Sequence, residues 1–309
     1  SCALWLKNLG CHPVVLEREH EAGGLLRQNV LANDWVLGQQ GMTGSAMARQ
    51  FAEHFAASRI AVHYGVTPEA ITPDGSCFTI RWAAGQESLS AAALVIATGT
   101  RVDGSDWLST LPGATAIPAD RLTVGPAAFG NADRFRGKRV LVIGGGDNAH
   151  EFVRFTAPLA EHQIMLVRSR RKAQLAQQQA VDTLIDAGQV SLYEGSWVTG
   201  LAWREQQLVA RLGGEGAPAT QLLADMLVVQ AGYRPNSEAV LAALPPEFKI
   251  RLAVDGDGYL HADAVGRTAC PGIYAIGDIS NRETPCVVTA LAAGASAARD
   301  IERSFREQP

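Results

Sequence analysis

The chain has 309 residues, which is enough for two domains with separate hydrophobic cores, and its 47% hydrophobic residues and 31 glycines are typical of α/β proteins. The net charge of −4 argues against nucleic acid as a general partner, and no run reaches the roughly 18 apolar residues of a membrane helix. Five cysteines without a Cys-x-x-Cys pair, and no recognisable targeting segment, favour a reducing, cytoplasmic setting without a disulfide framework or metal site.

The first residues predict a helix over residues 2–9, ended by Gly10, and a short strand over residues 13–16. Glu17 then lies at a strand end, where a ribose-binding carboxylate belongs, although a surface acid after a strand is an equally good interpretation. A glycine loop precedes such a carboxylate by about 20 residues. Counting back from Glu17 places that loop before residue 1. We therefore expect the numbered chain to begin inside a βαβ unit and to lack its first strand and glycine loop.

Residues 139–151 carry the most specific signal. An apolar strand over residues 140–143 leads into Gly144, Gly145 and Gly146, and a helical stretch follows with Ala149 at the third fingerprint position. In this G-x-G-x-x-A pattern the first glycine permits a tight turn and the second lets a pyrophosphate approach the backbone. The small third residue lets the helix pack on the strand, so that its N-terminus faces the phosphates. The segment predicts a dinucleotide site.

The next strand, over residues 163–167, ends in the basic segment 168–172, Arg-Ser-Arg-Arg-Lys. A dinucleotide unit usually carries a carboxylate here, which accepts a hydrogen bond from the ribose 2′-OH. No carboxylate is present, and guanidinium groups match a 2′-phosphate bidentately. The segment favours NADPH over NADH, and the alternative is a solvated basic loop.

Two similar strand-then-glycine segments flank this unit, at residues 94–99 and 227–236. They suggest that the chain crosses from one domain into another and back. We predict a domain formed by residues 1–114 and 237–309, with residues 115–236 inserted as a second domain. Near the C-terminus, a strand over residues 273–276 delivers Gly277 and Asp278 to a loop, and residues 287–301 have the composition of a helix.

The order of these segments resembles the flavoproteins of the low-molecular-weight thioredoxin reductase type, which include ferredoxin/flavodoxin–NADP reductases, within the pyridine nucleotide-disulfide oxidoreductase superfamily. The matching pieces are Glu17, ATG at 97–99, GGGDNA at 144–149, AGYRPN at 231–236 and YAIGD at 274–278. The resemblance implies an α/β fold of two Rossmann-like domains, with the NAD(P) domain inserted in a discontinuous FAD domain. It also implies a homodimer that passes reducing equivalents between NADPH and an acceptor by way of FAD. The acceptor would be a small electron-transfer protein (ferredoxin or flavodoxin) or a small molecule.

The resemblance also implies which residues contact each cofactor. For FAD they are Glu17, Gly23, Gly24, Thr98, Gly99, Gly277, Asp278 and Val287. For NADPH they are Gly144, Gly146, Asp147, Asn148, Ala149, Arg168, Arg170 and Arg171.

The sequence departs from thioredoxin reductases at residues 124–130, where those enzymes carry a redox dithiol and this chain has no cysteine. Dithiol–disulfide exchange needs an attacking thiolate and a resolving thiol. We therefore expect no thioredoxin reductase activity by the usual route. The absence of the first glycine loop also puts FAD retention by this chain in question.

A narrower resemblance, at residues 33–48, 144–151 and 168–174, is to flavin-dependent ferredoxin–thioredoxin reductases. One alternative is therefore a ferredoxin-dependent flavoenzyme with a vestigial nucleotide domain. Another is a non-catalytic flavin- or nucleotide-binding redox sensor.

Few titratable catalytic residues are expected, because FAD carries the difficult step. Glu151 lies where it would meet the nicotinamide, although a first-turn acid favoured by the helix dipole explains it equally well. Cys286 precedes Val287 and would place a thiol near the flavin, with a small packed hydrophobe as the more ordinary interpretation. His150 is interpreted as a histidine on the helix surface.

Overall fold

A computed structural model describes residues 1–307, which divide into two compact units. The first comprises Ser1–Arg101 and the segment from Arg234 onward, and the second is Val102–Tyr233. The first crossing thus lies before residue 102, whereas the sequence prediction placed it after residue 114. The reason is that Leu108, Ala114 and Ile117 are buried in the hydrophobic core of the second unit.

The described residues form seventeen strands and eight α-helices, with short 3₁₀ turns between them. The strands are β1 Val14–Glu17, β2 Ala61–Tyr64, β3 Ala70–Asp74, β4 Cys77–Trp82, β5 Glu87–Ala91, β6 Leu94–Ile96, β7 Thr100–Val102, β8 Leu122–Val124, β9 Arg139–Ile143, β10 His162–Val167, β11 Val190–Glu194, β12 Trp197–Arg204, β13 Gln207–Gly213, β14 Gln221–Ala224, β15 Met226–Val229, β16 Tyr233–Pro235 and β17 Ile273–Ala275. The helices are α1 Cys2–Asn8, α2 Gly44–Ala57, α3 Ser105–Thr110, α4 Asp147–Thr156, α5 Leu175–Asp186, α6 Glu238–Ala243, α7 Pro246–Arg251 and α8 Val287–Glu307.

The second unit contains a five-stranded parallel sheet in the order β11-β10-β9-β15-β8. Its central strands are continuous apolar runs with every residue from Val140 to Val142 and from Met226 to Val229 buried, as expected for a parallel sheet covered on both faces. An antiparallel sheet, β12-β13-β14, forms the connection from β11 to β15. The strand order reverses between β9 and β15, and this is the position at which open α/β sheets bind ligands.

The first unit combines two parallel strand pairs, β1 with β2 and β6 with β17, and an antiparallel sheet of β3, β4 and β5. Ile71, Ile80, Leu252 and Ile273 are among the most buried side chains of its core. The short strand β17 leads directly into the turn that carries Gly277 and Asp278.

The long helix α8 is fixed to this unit by one buried carboxylate and one glycine. Asp300, only 2% exposed, accepts hydrogen bonds from Arg267 Nε and Nη2, both at 2.6 Å, and from the Tyr274 hydroxyl at 2.9 Å. A Cβ on Gly294 would lie 2.8 Å from the backbone N of Cys2, so glycine permits α1 to approach α8. No helix among residues 1–307 is long and apolar enough to cross a membrane.

Candidate functional site

The glycine loop after β9 has the backbone geometry that its sequence predicts. Gly144 has a φ of +143°, and a Cβ there would lie 2.3 Å from the carbonyl oxygen of Gln230 and 3.2 Å from the Cβ of Ala149. Only glycine fits this close approach of two backbones. Ala149 is completely buried, so a larger side chain at the third fingerprint position would push α4 off the sheet.

Gly146, in contrast to Gly144, has open space where a side chain would be. A Cβ built on it meets nothing within 4 Å, and Gly146 is the N-cap of α4 without any side-chain capping bond. The first-turn N–H groups of a helix have no intrahelical partner and carry the positive end of the helix dipole. An open glycine in front of them provides a place where a pyrophosphate can contact the backbone.

The basic segment borders this loop. The carbonyl of Gly145 accepts hydrogen bonds from the backbone N–H of Lys172 (2.7 Å) and Ala173 (3.1 Å), which hold the segment against the glycines. Arg168 and Arg170 are exposed and form no ion pair within the part of the chain that the structure describes. Arg171 differs, because its guanidinium contacts Asp182 at 2.5 Å and Glu194 at 3.9 Å. Its partners give Arg171 a structural role within the unit.

His150 is buried, and the interpretation of it as a surface histidine is wrong. Helix α4 is covered by α5 on one side and by the 3₁₀ turn Gly125–Phe129 on another, so few of its positions face solvent. The ring Nδ1 lies 3.0 Å from the carbonyl oxygen of Gly146 and donates to it, while Nε2 is buried without a partner among the described residues. Burial lowers the pKa of His150, because the charged imidazolium is poorly solvated there.

Other polar side chains on the first turns of α4 have distinct partners. Asp147 accepts a hydrogen bond from the backbone N–H of Gln174 at 2.7 Å and thereby joins α4 to the end of the basic segment. The amide of Asn148 donates to the hydroxyl of Tyr233 at 2.9 Å, a contact that the sequence did not predict. Glu151 is half-buried, and burial raises the pKa of its carboxyl against the opposing effect of Arg154.

In the first unit, the turn after β17 presents an unpartnered carboxylate. Gly277 has a φ of +72° and lies against α8, where an added Cβ would be 3.6 Å from the Cβ of Ala290. The next residue, Asp278, has a buried Oδ1 atom without a hydrogen-bond donor within residues 1–307. Burial raises the pKa of this carboxyl. A buried acceptor without a donor is costly, so this atom fits a hydroxyl-bearing ligand.

The remaining FAD residues expected from the sequence lie at two other positions of this unit. Thr98 and Gly99, after β6, are joined to Asn236 by three hydrogen bonds of 2.9–3.0 Å, although Asn236 was not among the predicted site residues. Glu17 ends β1, where its Oε1 accepts from the backbone N–H of Glu19 at 2.9 Å. Gly23 and Gly24 follow it, both with positive φ.

The N-terminus of α8 lies next to the Asp278 turn. Val287 is the first residue of this helix, and Cys286 precedes it with Sγ 3.4 Å from the Thr289 hydroxyl. The Cys286 thiol is half-buried, and this hydrogen bond gives it a local structural contact. Gly277 packs against the first turn of α8, close to Ala290, and the FAD contacts of Gly277, Asp278 and Val287 stay predictions.

The raised pKa of Asp278 predicts an unusual pH dependence of stability. A carboxyl whose pKa is higher in the folded than in the unfolded protein makes folding less favourable when it is ionised. The folded protein therefore loses stability as the pH rises from the unfolded pKa through the folded pKa. Asp278→Asn keeps Oδ1 and removes the charge. In thermal unfolding of the flavin-free protein, we expect a higher midpoint than in the parent near neutral pH and an equal midpoint below a pH of about 4.

The matched control is Asp74→Asn, which changes an exposed aspartate in the same unit and should not move the midpoint. A lower midpoint for Asp278→Asn at neutral pH would show that a donor within the protein already satisfies this carboxylate.

Comparisons with known proteins agree with this arrangement. A family model described as pyridine nucleotide-disulphide oxidoreductase matches residues 1–294. Glucosaminate ammonia-lyase from Pseudomonas fluorescens is 27% identical, with 98% of this chain and 91% of that protein aligned. Ferredoxin–NADP reductase from Rhodospirillum rubrum is 30% identical, with 71% of this chain and 61% of that protein aligned. Thioredoxin reductase from T. acidophilum superposes with a TM-score of 0.80 at 20% identity, covering 99% of this chain and 94% of that one.

These findings confirm three sequence predictions: the α/β fold of two Rossmann-like domains, the enzyme class and the cofactors FAD and NADPH. The chain belongs to the pyridine nucleotide-disulphide oxidoreductase family and is a thioredoxin reductase-like, FAD- and NAD(P)H-dependent oxidoreductase.

Proposed function

We propose that this protein passes reducing equivalents from NADPH, bound in the second unit, to FAD held in the first and on to an acceptor, without a Cys-x-x-Cys dithiol. The observation that carries the proposal is the open Gly146 at the N-terminus of α4, bordered by the exposed Arg168 and Arg170. Together these groups offer backbone donors for a pyrophosphate and guanidinium groups for a 2′-phosphate.

The preference for NADPH rests on which arginines are available. Arg171 is engaged by Asp182 and Glu194, so the contacts to a 2′-phosphate come from Arg168 and Arg170. The end of β10 carries no carboxylate that would accept from the 2′-OH of NADH. The loop retains its glycine geometry and its buried Ala149, and this favours a working nucleotide site over a vestigial one.

The first unit offers suitable groups for FAD. When bound, FAD supplies a ring that accepts a hydride and releases electrons singly. The unpartnered Asp278 Oδ1 would accept from a ligand hydroxyl, Gly277 would allow close approach of the ligand to the backbone, and the N-terminus of α8 would present N–H groups. Their task is to hold and orient the cofactor.

The stretch where thioredoxin reductases carry their dithiol has a packing role in this chain. Gly125–Phe129 is a 3₁₀ turn without cysteine, and Phe129 is buried against Phe152, with ring centroids 5.7 Å apart. Two of the five cysteines, Cys2 and Cys270, are buried, and burial raises the pKa of each thiol, to about 11 for Cys2. A buried, protonated thiol is a poor nucleophile. These features support electron transfer that does not pass through protein thiols.

The names of the relatives indicate different reactions, since one is a ferredoxin–NADP reductase and another a glucosaminate ammonia-lyase. The dinucleotide geometry of the second unit favours the reductase. We propose a small redox protein, such as ferredoxin or flavodoxin, as the electron-transfer partner, with a small-molecule acceptor as the alternative.

The choice of nucleotide is tested by replacing the two exposed arginines. Loss of one charge-assisted contact costs about 1.5–3 kcal/mol, so Arg168→Ala with Arg170→Ala should weaken NADPH binding about tenfold or more. NADH binding should change little, because NADH has no 2′-phosphate. Equilibrium titration of both nucleotides measures the two dissociation constants. Arg136→Ala, which removes another exposed arginine of the same unit, is the control and should change neither constant.

Equal losses for NADPH and NADH in the double variant would contradict the assignment of these arginines to the 2′-phosphate. Failure of the parent protein to bind either nucleotide would favour the ferredoxin-dependent alternative with a vestigial nucleotide domain.

The role of Gly146 is tested by a single methyl group. Because a Cβ at this position meets no protein atom, Gly146→Ala should leave the thermal midpoint within about 2 °C of the parent, as small surface changes do. The methyl group would occupy the approach to the helix N-terminus, so NADPH and NADH should both bind at least about tenfold more weakly.

The control is Gly130→Ala, in the same unit, where an added Cβ makes an ordinary contact of 3.6 Å with the Ala127 carbonyl. Unchanged nucleotide affinity in Gly146→Ala would mean that the pyrophosphate does not lie at this helix terminus.

A further inference from the structure

We infer that the hydrogen bond between Asn148 and Tyr233 is a clasp across the nucleotide crevice of the second unit, which the nicotinamide half of the dinucleotide must open. The inference rests on the proposed function, and the clasp limits access to one half of that site. Its two groups are the Asn148 amide and the Tyr233 hydroxyl, which are 2.9 Å apart.

The two residues reach the crevice from opposite sides. Asn148 is the second residue of α4, immediately after the glycine loop that follows β9. Tyr233 follows β15, four residues after its last residue, Val229. In the sheet order β11-β10-β9-β15-β8 the two strands are neighbours, and the order reverses between them. The hydrogen bond therefore spans the topological switch point, where ligands of open α/β sheets lie.

The same sheet order indicates which half of the dinucleotide meets the clasp. The 2′-phosphate residues Arg168 and Arg170 follow β10, on one side of β9, and the pyrophosphate position at Gly146 follows β9 itself. A dinucleotide that begins near the end of β10 and crosses the end of β9 continues toward the end of β15. The nicotinamide ribose and ring therefore arrive where Asn148 and Tyr233 are joined.

Strands β9 and β15, which carry the two sides of the crevice, are close together at their carboxyl ends. Strand β15 stays paired with β9 up to the loop, since the backbone N–H of Gln230 donates to the carbonyl of Ile143 at 2.7 Å. The Gln230 carbonyl also lies where a Cβ of residue 144 would be. Because these contacts hold residues 143–144 against residue 230, widening the entrance requires the Asn148 amide and the Tyr233 hydroxyl to separate. Tyr233 is 37% exposed, so part of its ring borders solvent.

If a ligand binds only when this hydrogen bond is open, its apparent affinity equals its affinity for the open form multiplied by the fraction of molecules that are open. A partly exposed hydrogen bond shifts such an equilibrium by a factor of about 2–12. Removing the bond should therefore tighten binding of the complete dinucleotide. It should not affect a ligand that stops at the adenosine half.

The experiment uses the flavin-loaded full chain and two probes, NADP⁺ and adenosine 2′,5′-bisphosphate, in calorimetric titrations. In Tyr233→Phe we expect NADP⁺ to bind about three- to tenfold more tightly and the bisphosphate to bind as in the parent. Asn148→Ala removes the same bond together with an expected NADPH contact, so we expect a smaller gain, and the double variant should bind NADP⁺ no more tightly than Tyr233→Phe does. Tyr193→Phe removes a hydroxyl elsewhere in the unit, on β11, and should change neither affinity.

Unchanged or weaker NADP⁺ binding in Tyr233→Phe, with the bisphosphate still bound, would overturn the clasp while leaving the proposed function in place. Additive gains from the two substitutions would also overturn it, since the residues would then act separately. If the parent protein binds neither probe, the proposed nucleotide site fails and the clasp fails with it.

Discussion

The second unit depends on a close approach of three backbone segments at the carboxyl end of its parallel sheet. A Cβ on Gly144 would lie only 2.3 Å from the carbonyl oxygen of Gln230 and 3.2 Å from the Cβ of Ala149 on α4, so the three segments meet at this glycine. This contact sets the direction of α4 and so aims its free N–H groups at the space in front of Gly146. The basic segment is placed by the same loop, because Gly145 accepts two of its backbone N–H groups.

Two buried polar groups show different consequences of burial. His150 has one ring nitrogen bonded to the Gly146 carbonyl and the other without a partner in residues 1–307. Burial lowers its pKa and so favours the neutral imidazole, whose hydrogen bond supports the glycine loop. Asp278 has a raised pKa and, among the same residues, no donor for one buried oxygen, which makes its turn less stable than an apolar one would be. A hydroxyl-bearing ligand would remove that cost, so stability and binding are linked at this residue.

The sequence was sufficient for features that depend on local pattern. The strand–glycine–helix order predicted β9, the loop and α4, and the strands and helices at residues 2–17, 163–167 and 273–276 were found within one residue of their expected bounds. The helix expected over residues 287–301 begins at Val287 and continues to Glu307. It was insufficient where distant segments decide the outcome. His150 is buried because two distant elements cover α4, and Arg171 is distinguished from its neighbours by Asp182 on the next helix. The bond from Asn148 to Tyr233 joins residues on opposite sides of the crevice, and no local pattern near either residue predicts it.

We propose that electrons enter from NADPH and reach the flavin without passing through a protein thiol. The most direct test is anaerobic rapid mixing of NADPH with flavin-loaded protein in which all five cysteines are replaced by Ser or Ala, followed by flavin absorbance. We expect bleaching at a rate close to that of the parent protein, with NADPH more effective than NADH. A variant that is folded and yellow but is no longer bleached, while the parent is, would show that a protein thiol lies on the electron route.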